Sequence, residues 1–236
     1  MKKFIKLPLL IFCTIITLYG IFTAPASDED TLKKELQRNT VALQENDDFD
    51  DSADRIAHAA PKEKNSTDTK IPKAKKKSSQ ITVIGDSVFL GAALEFKKLE
   101  KNSVIDAKIS RQVCQALDVA KTLKKKGKLG DIVLISLGTN GPFHSKTGEA
   151  LIDYLGTDKK IFWIDAYSRK EKLPDSINQT IRKLAKKYKN LTVISWSKEG
   201  KKHPDWFYQD GTHLNSKGQK GFAKFICKNV SSSYTH

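Results

Sequence analysis

From Gln80 onward the chain alternates short, almost wholly apolar runs with longer amphipathic stretches, and this rhythm restricts its fold more than any other feature. Five runs are strand-like: 81–85 (ITVIG), 104–107 (VIDA), 131–137 (DIVLISL), 160–165 (KIFWID) and 191–196 (LTVISW). A strand that is apolar on both sides must be covered on both sides. Helix-like stretches at 88–98, 111–126, 147–155, 176–189 and 218–227 lie between and after them. Strand and helix in alternation favour parallel pairing, because each crossover needs room to carry the chain back to the same edge. The expected class is therefore α/β. A five-stranded parallel sheet would lie between two helical layers, a doubly wound, flavodoxin-like three-layer sandwich over residues 79–236.

The two segments before it read differently. Residues 1–26 place Lys2, Lys3 and Lys6 ahead of an apolar run over 7–23, followed by Ala24-Pro25-Ala26. Positive charge before an apolar stretch of borderline spanning length is an export signal. It is either cleaved before Ser27 or kept as a single-pass membrane anchor, and both outcomes make the remainder extracytoplasmic. Residues 27–78 hold one aromatic side chain, Phe49, and run acidic around Glu45–Asp51, then basic around Lys73–Lys77. So little apolar surface does not offset the entropy of ordering. Residues 27–78 are thus expected to be a disordered charged linker, with a short helix near 32–43 and reach away from the membrane.

The formal net charge is +15, of which +13 falls on residues 79–236. A surface this basic attracts polyanions unless the lysines are simply solvated. Export argues against nucleic acid and leaves anionic wall polymers or the membrane surface as partners. Cys13, Cys114 and Cys227 fit no metal-site spacing, and the last two fall in helices expected on opposite sheet faces, so no disulfide is expected.

Sites in open parallel sheets form beyond the carboxyl ends of the strands. There the sequence places Gly85-Asp86-Ser87-Val88 after strand one and Gly138-Thr139-Asn140-Gly141 after strand three. Asp210-Gly211-Thr212-His213 comes before the last helix. Each has an ordinary reading on its own. Ser87 would cap a helix, Asp210 would open a turn with Gly211, Asn140-Gly141 is a common turn pair, and His213 would be a loop histidine. Together, at one sheet edge, they make a nucleophile (Ser87), a base (His213) and a carboxylate to orient it (Asp210). Asp86 shapes the turn. His144 and Tyr208 flank these blocks and are candidates for substrate contact. Trp206, Phe207 and Tyr208 either pack the loop or wall a sugar site.

On these blocks residues 79–236 resemble the SGNH hydrolase family, also called GDSL esterases and lipases. Gly85-Asp86-Ser87 resembles its nucleophile block, Gly138-Thr139-Asn140-Gly141 its asparagine block and Asp210-Gly211-Thr212-His213 its Asp-x-x-His block. The glycine block should fall within 106–112, where Ser110 stands instead of glycine. That departure is similar to the extracytoplasmic domain of peptidoglycan O-acetyltransferases. The resemblance implies a Ser87–His213–Asp210 triad, with an oxyanion hole from the backbone N–H groups of Ser87 and Ser110 and the Asn140 amide. Only the backbone of Ser110 would act, while its side chain would narrow the cleft towards acetyl.

The implied function is acetyl transfer through an acyl-serine to a cell-wall glycan. An esterase using water as acceptor, or a non-catalytic wall-binding module, is the alternative. The chemistry calls for neither metal nor organic cofactor. The acetyltransferases it resembles often carry a multi-pass membrane part that supplies acetyl. With one apolar segment, this chain would need a separate multi-pass membrane protein or a soluble donor.

Overall fold

In the computed structural model, residues 27–57 and 80–232 are described. The export segment 1–26, the later part of the expected linker, 58–78, and residue 79 lie outside the described residues. The described residues begin with α1 (Asp28–Ala57) and continue through β1 (Ile81–Gly85), α2 (Ser87–Leu99), β2 (Val104–Ala107) and α3 (Ala116–Lys125). Then follow β3 (Ile132–Ser136), α4 (Ser145–Leu155), β4 (Lys160–Ile164), α5 (Leu173–Lys187), β5 (Leu191–Ile194), α6 (Trp196–Gly200) and α7 (Ser216–Ser232). All five strands are parallel, in the order β2-β1-β3-β4-β5, as the alternation of apolar runs requires.

β1 and β3 are buried along their whole length, so their side chains supply both layers of core. Val83 and Leu134 face a cluster with Phe89 and Phe96 of α2, Trp196 of α6, and Phe222 and Ile226 of α7. Ile84, Val133 and Ile135 face the other way, onto α3, α4 and α5 through Ala120, Leu151 and Ile181. The period of two along each strand thus sorts one apolar run into two cores.

Two segments differ from the sequence reading. The run 191–196 looks like strand throughout, yet β5 ends at Ile194 and Trp196 opens α6. The Asp165 carboxylate at the end of β4 accepts hydrogen bonds from the Ser197 N–H (2.6 Å) and hydroxyl (2.7 Å), which fixes the first turn of α6. The Trp196 indole then enters the aromatic cluster, edge-on to Phe222 at 4.8 Å.

The larger correction concerns the expected linker. Residues 28–57 are helical, and the first part of that helix packs on the domain. Ser27 caps it, its hydroxyl accepting from the Asp30 N–H at 3.1 Å, and Asp28, Glu29 and Asp30 stand in the first turn, where the helix dipole favours acids. Leu36 and Asn39 are buried, and Leu43 packs against the α2–α7 side of the core. The Asn39 amide donates to the Leu90 and Gly91 carbonyls of α2, both at 2.9 Å. The apolar content that looked too small for a core element is sufficient because polar side chains share the seam. Among the described residues no helix is long and apolar enough to cross a membrane.

Candidate active site

Ser87 is the first residue of α2, directly beyond the end of β1. It does not cap the helix. Asp86 does, its carboxylate accepting from the Val88 N–H at 3.0 Å. The Ser87 hydroxyl is therefore free for other work, and its N–H points from a helix N-terminus whose first turn carries no acid. Asp86 is 1% exposed and also accepts the Thr139 hydroxyl, which ties the β1 end to the loop after β3. Burial pushes the Asp86 carboxyl above its ordinary value, opposed by the hydrogen bonds from Thr139 and Val88.

The loop before α7 is a tight hairpin. Phe207 and Leu214 form an antiparallel bridge, Tyr208 N–H donates to the His213 carbonyl (2.9 Å) and Gly211 N–H to the Tyr208 carbonyl (2.9 Å). Behind it, Trp206 lies so close to the first turns of α7 that only glycine fits. A Cβ on Gly218 would stand 2.1 Å from the Trp206 carbonyl oxygen, and one on Gly221 2.4 Å from its indole. At the hairpin tip Asp210 and His213 come together. The His213 Nδ1–H donates to Asp210 Oδ2 at 2.6 Å, while Asp210 Oδ1 accepts from the Thr212 (2.8 Å) and His213 (2.9 Å) backbone N–H groups. Burial alone would raise the Asp210 carboxyl, but these hydrogen bonds outweigh it and hold the group at about 2. Across 126 residues of sequence, the Ser87 hydroxyl donates to His213 Nε2 at 2.9 Å. The three expected residues are thus in one hydrogen-bonded line.

Asn140 follows β3 and its amide donates to the Arg111 carbonyl at 3.2 Å, so the loops after β2 and β3 touch. Arg111 is buried and was not legible as a site residue. Its guanidinium donates to the Gly85 carbonyl (3.2 Å) and pairs with Asp106, bracing the β1 end from the β2 side. Ser110 is exposed, in a turn closed by Arg111 N–H on the Lys108 carbonyl (3.3 Å), with φ +58°. Glycine ordinarily supplies that left-handed backbone, and serine adopts it at a cost of about 1 kcal/mol. The Ser110 side chain is exposed and does not line the cavity beside Asn140, so the structure does not show it narrowing the cleft.

The two expected substrate residues fare differently. His144 is exposed just before α4, makes no side-chain capping bond and does not line the cavity beside Asn140. Tyr208 is 9% exposed and its hydroxyl donates to Glu35 of α1 at 2.9 Å, so it anchors the hairpin and does not offer its hydroxyl to a sugar. The cavity beside the site, about 280 Å³, is lined by Thr139, Asn140, Gly141, Ser168, Glu171, Pro174 and Thr212. Among the described residues no group of three or more His, Cys, Asp or Glu side chains is placed to hold a metal.

No family model matches the chain. A curated relative, the O-acetyltransferase OatA of Staphylococcus aureus (strain NCTC 8325 / PS 47), is 33% identical over 162 residues, 68% of this chain. The chain spans about a quarter of that relative, 26% of its length. Among solved structures, the C-terminal catalytic domain of Streptococcus pneumoniae peptidoglycan O-acetyltransferase A, with a methylsulfonyl adduct, superposes with a TM-score of 0.59 at 21% identity, covering 66% of this chain and 94% of that one. The domain has the fold of the SGNH hydrolases. The SGNH fold also matches the esterase EstA of a Pseudoalteromonas species, with a TM-score of 0.51 at 16% identity over 66% of this chain and 99% of that one.

Proposed function

We propose that this SGNH domain transfers acetyl to a hydroxyl of peptidoglycan or a related wall glycan through an acetyl-serine on Ser87. The observation that carries the reading is the line Ser87–His213–Asp210, with contacts of 2.9 and 2.6 Å. Likeness to the O-acetyltransferase OatA over 68% of the chain supports acetyl as the group transferred, and 29% identity over 72% of the chain to a Bacillus subtilis relative named as a peptidoglycan O-acetyltransferase supports the wall acceptor. In the first half-reaction Ser87 Oγ attacks the acetyl carbonyl carbon while His213 Nε2 takes its proton. The Asp210 carboxylate stabilises the imidazolium and keeps Nδ1 protonated. The oxyanion would be met by the backbone N–H groups of Ser87 and Ser110 and by the Asn140 N–H not used on Arg111. The carbonyl re-forms, the donor's oxygen leaves, and His213 returns the proton to it. In the second half a sugar hydroxyl, seated in the cavity between Asn140 and Thr212, attacks the acetyl-serine. His213 takes the hydroxyl proton and gives it back to Ser87. No metal or organic cofactor enters either half.

This reading puts the domain outside the cytoplasm. A multi-pass membrane protein would deliver acetyl, and the basic surface would lie against anionic wall polymer or the membrane. The esterase reading uses the same residues, with water replacing the sugar. The test is to incubate the protein with p-nitrophenyl acetate and wall-glycan oligomers. Faster p-nitrophenol release with oligomers, and acetylated sugar by mass spectrometry, is the expected result. An unchanged rate with all acetyl appearing as free acetate makes the enzyme an esterase.

A further inference from the structure

The docked helix α1 touches both halves of the site. On one side, Leu36 and Asn39 lie against α2, whose first residue is Ser87, and Asn39 bonds two of its carbonyls. On the other, α1 reaches the hairpin carrying His213 and Asp210 through a single carboxylate. Glu35 Oε2 accepts the Tyr208 hydroxyl at 2.9 Å and the Gln219 amide at 2.8 Å. Both donors continue into the hairpin: Tyr208 N–H holds the His213 carbonyl, and Gln219, itself buried, also donates to the Leu214 carbonyl at 3.0 Å. Two turns earlier in α1, Asp28 Oδ2 accepts the Gln209 N–H at 3.3 Å. Residues 208, 209, 213 and 214 are thereby bound, directly or through one side chain, to a helix about 180 positions earlier in sequence. Burial and the neighbouring Glu35 raise the Tyr208 hydroxyl well above its ordinary range, so it remains a donor.

We infer that Glu35 is a positioning residue for the acid–base hairpin, and that α1 is a strap fixing where His213 sits relative to Ser87. The hairpin tip needs such a brace because Asp210 is exposed and the chain there turns back within a few residues. General-base transfer is steep in distance, and displacement of a reacting group by about 1 Å costs up to about 100-fold in rate. A carboxylate at position 35 accepts from two donors at one oxygen. An amide oxygen, with two lone pairs, does the same, whereas alanine leaves Tyr208 and Gln219 without their shared acceptor.

The inference rests on the triad reading, and its test separates the two. In the full-length chain, Glu35→Ala is compared with Glu35→Gln and Ser87→Ala, using p-nitrophenyl acetate turnover and the downfield NMR resonance of the His213 Nδ1 proton. Glu35→Ala should lower kcat about tenfold with KM within about twofold, and broaden that resonance. Glu35→Gln should restore both. Should Glu35→Ala fail to fold, Tyr208→Phe removes only one of the two hydrogen bonds and should lower kcat about threefold, in the same direction. Retention of turnover by Ser87→Ala would sink the triad reading. A dead Ser87→Ala beside a folded Glu35→Ala with normal kcat and an unchanged resonance would sink this inference alone, as would Glu35→Gln being as impaired as Glu35→Ala.

Discussion

The proposed nucleophile and the proposed base of this site are held in contrasting ways. Ser87 stands at the junction of a fully buried strand and a helix, beside a cap residue that is 1% exposed and bonded to the first turn of α2 and to the loop after β3. His213 and Asp210 stand on a hairpin tip at the surface, held by its own cross-strand bonds, by glycines that admit Trp206, and by α1. One half is built by the sheet, and the other is assembled around it from distant pieces of chain. Rigid scaffolds with functional groups on braced loops are a common division of labour, and here it predicts that damage to the two halves should look different.

The sharpest test of that contrast removes the contact joining the halves. Ser87→Ala or His213→Ala should reduce acetyl-ester turnover by at least about 10³-fold, with little change in melting temperature, as circular dichroism can check. A large drop in melting temperature with either would mean that the hairpin, too, carries fold stability. Next in size is Asp86. Asp86→Ala removes the helix cap and the Thr139 acceptor in a buried setting, and should destabilise the domain by about 2 kcal/mol in urea unfolding. Asp86→Asn keeps an oxygen for Val88 and avoids burying a charge, so its cost should stay below about 1 kcal/mol. Equal losses in both would assign Asp86 a role as an anion and remove it from the purely structural half. The smallest effect is expected at Ser110. Ser110→Gly relieves the left-handed backbone but loosens the unfolded chain, so stability should move by no more than about 0.5 kcal/mol. Its exposed side chain should also leave acetyl turnover within about threefold. Markedly greater use of longer acyl esters would restore the narrowed-cleft expectation and make this loop part of substrate selection.

The half built by the sheet was legible in the sequence. Near-continuous apolar runs fix β1 at 81–85 and β2 at 104–107 to the residue, and the strand-end rule places Ser87 and Asn140 at one edge. The line from Ser87 to Asp210 was also legible, because three reactive residue types at strand ends have few joint explanations. The braces were not. Arg111 reads as one of many basic residues until its burial against Gly85 and Asp106 is seen. Tyr208 reads either as the wall of a sugar site or as loop packing, because an aromatic before a histidine motif suits both, and only a partner about 170 positions away shows its hydroxyl turned inward. Trp196 reads as strand because composition does not report that Asp165 caps a new turn there. For α1, the readable signals were a Ser27 cap, an acidic first turn and leucines at 32, 36 and 43. Leucines alone understate such a seam, since Glu35 and Asn39 do part of the docking.

The docked start of α1 also sets a working radius. Asp28 is bonded to the residue next to Asp210, and it stands five positions after Thr23, where the apolar run ends. Fully extended, five residues reach about 17 Å. If that run is held in a bilayer, the catalytic hairpin hangs on a leash only about twice the depth of the roughly 7 Å headgroup layer. The enzyme would then graze the membrane face and act where acetyl emerges and where newly exported strands first pass. Older glycan further out would lie beyond its leash.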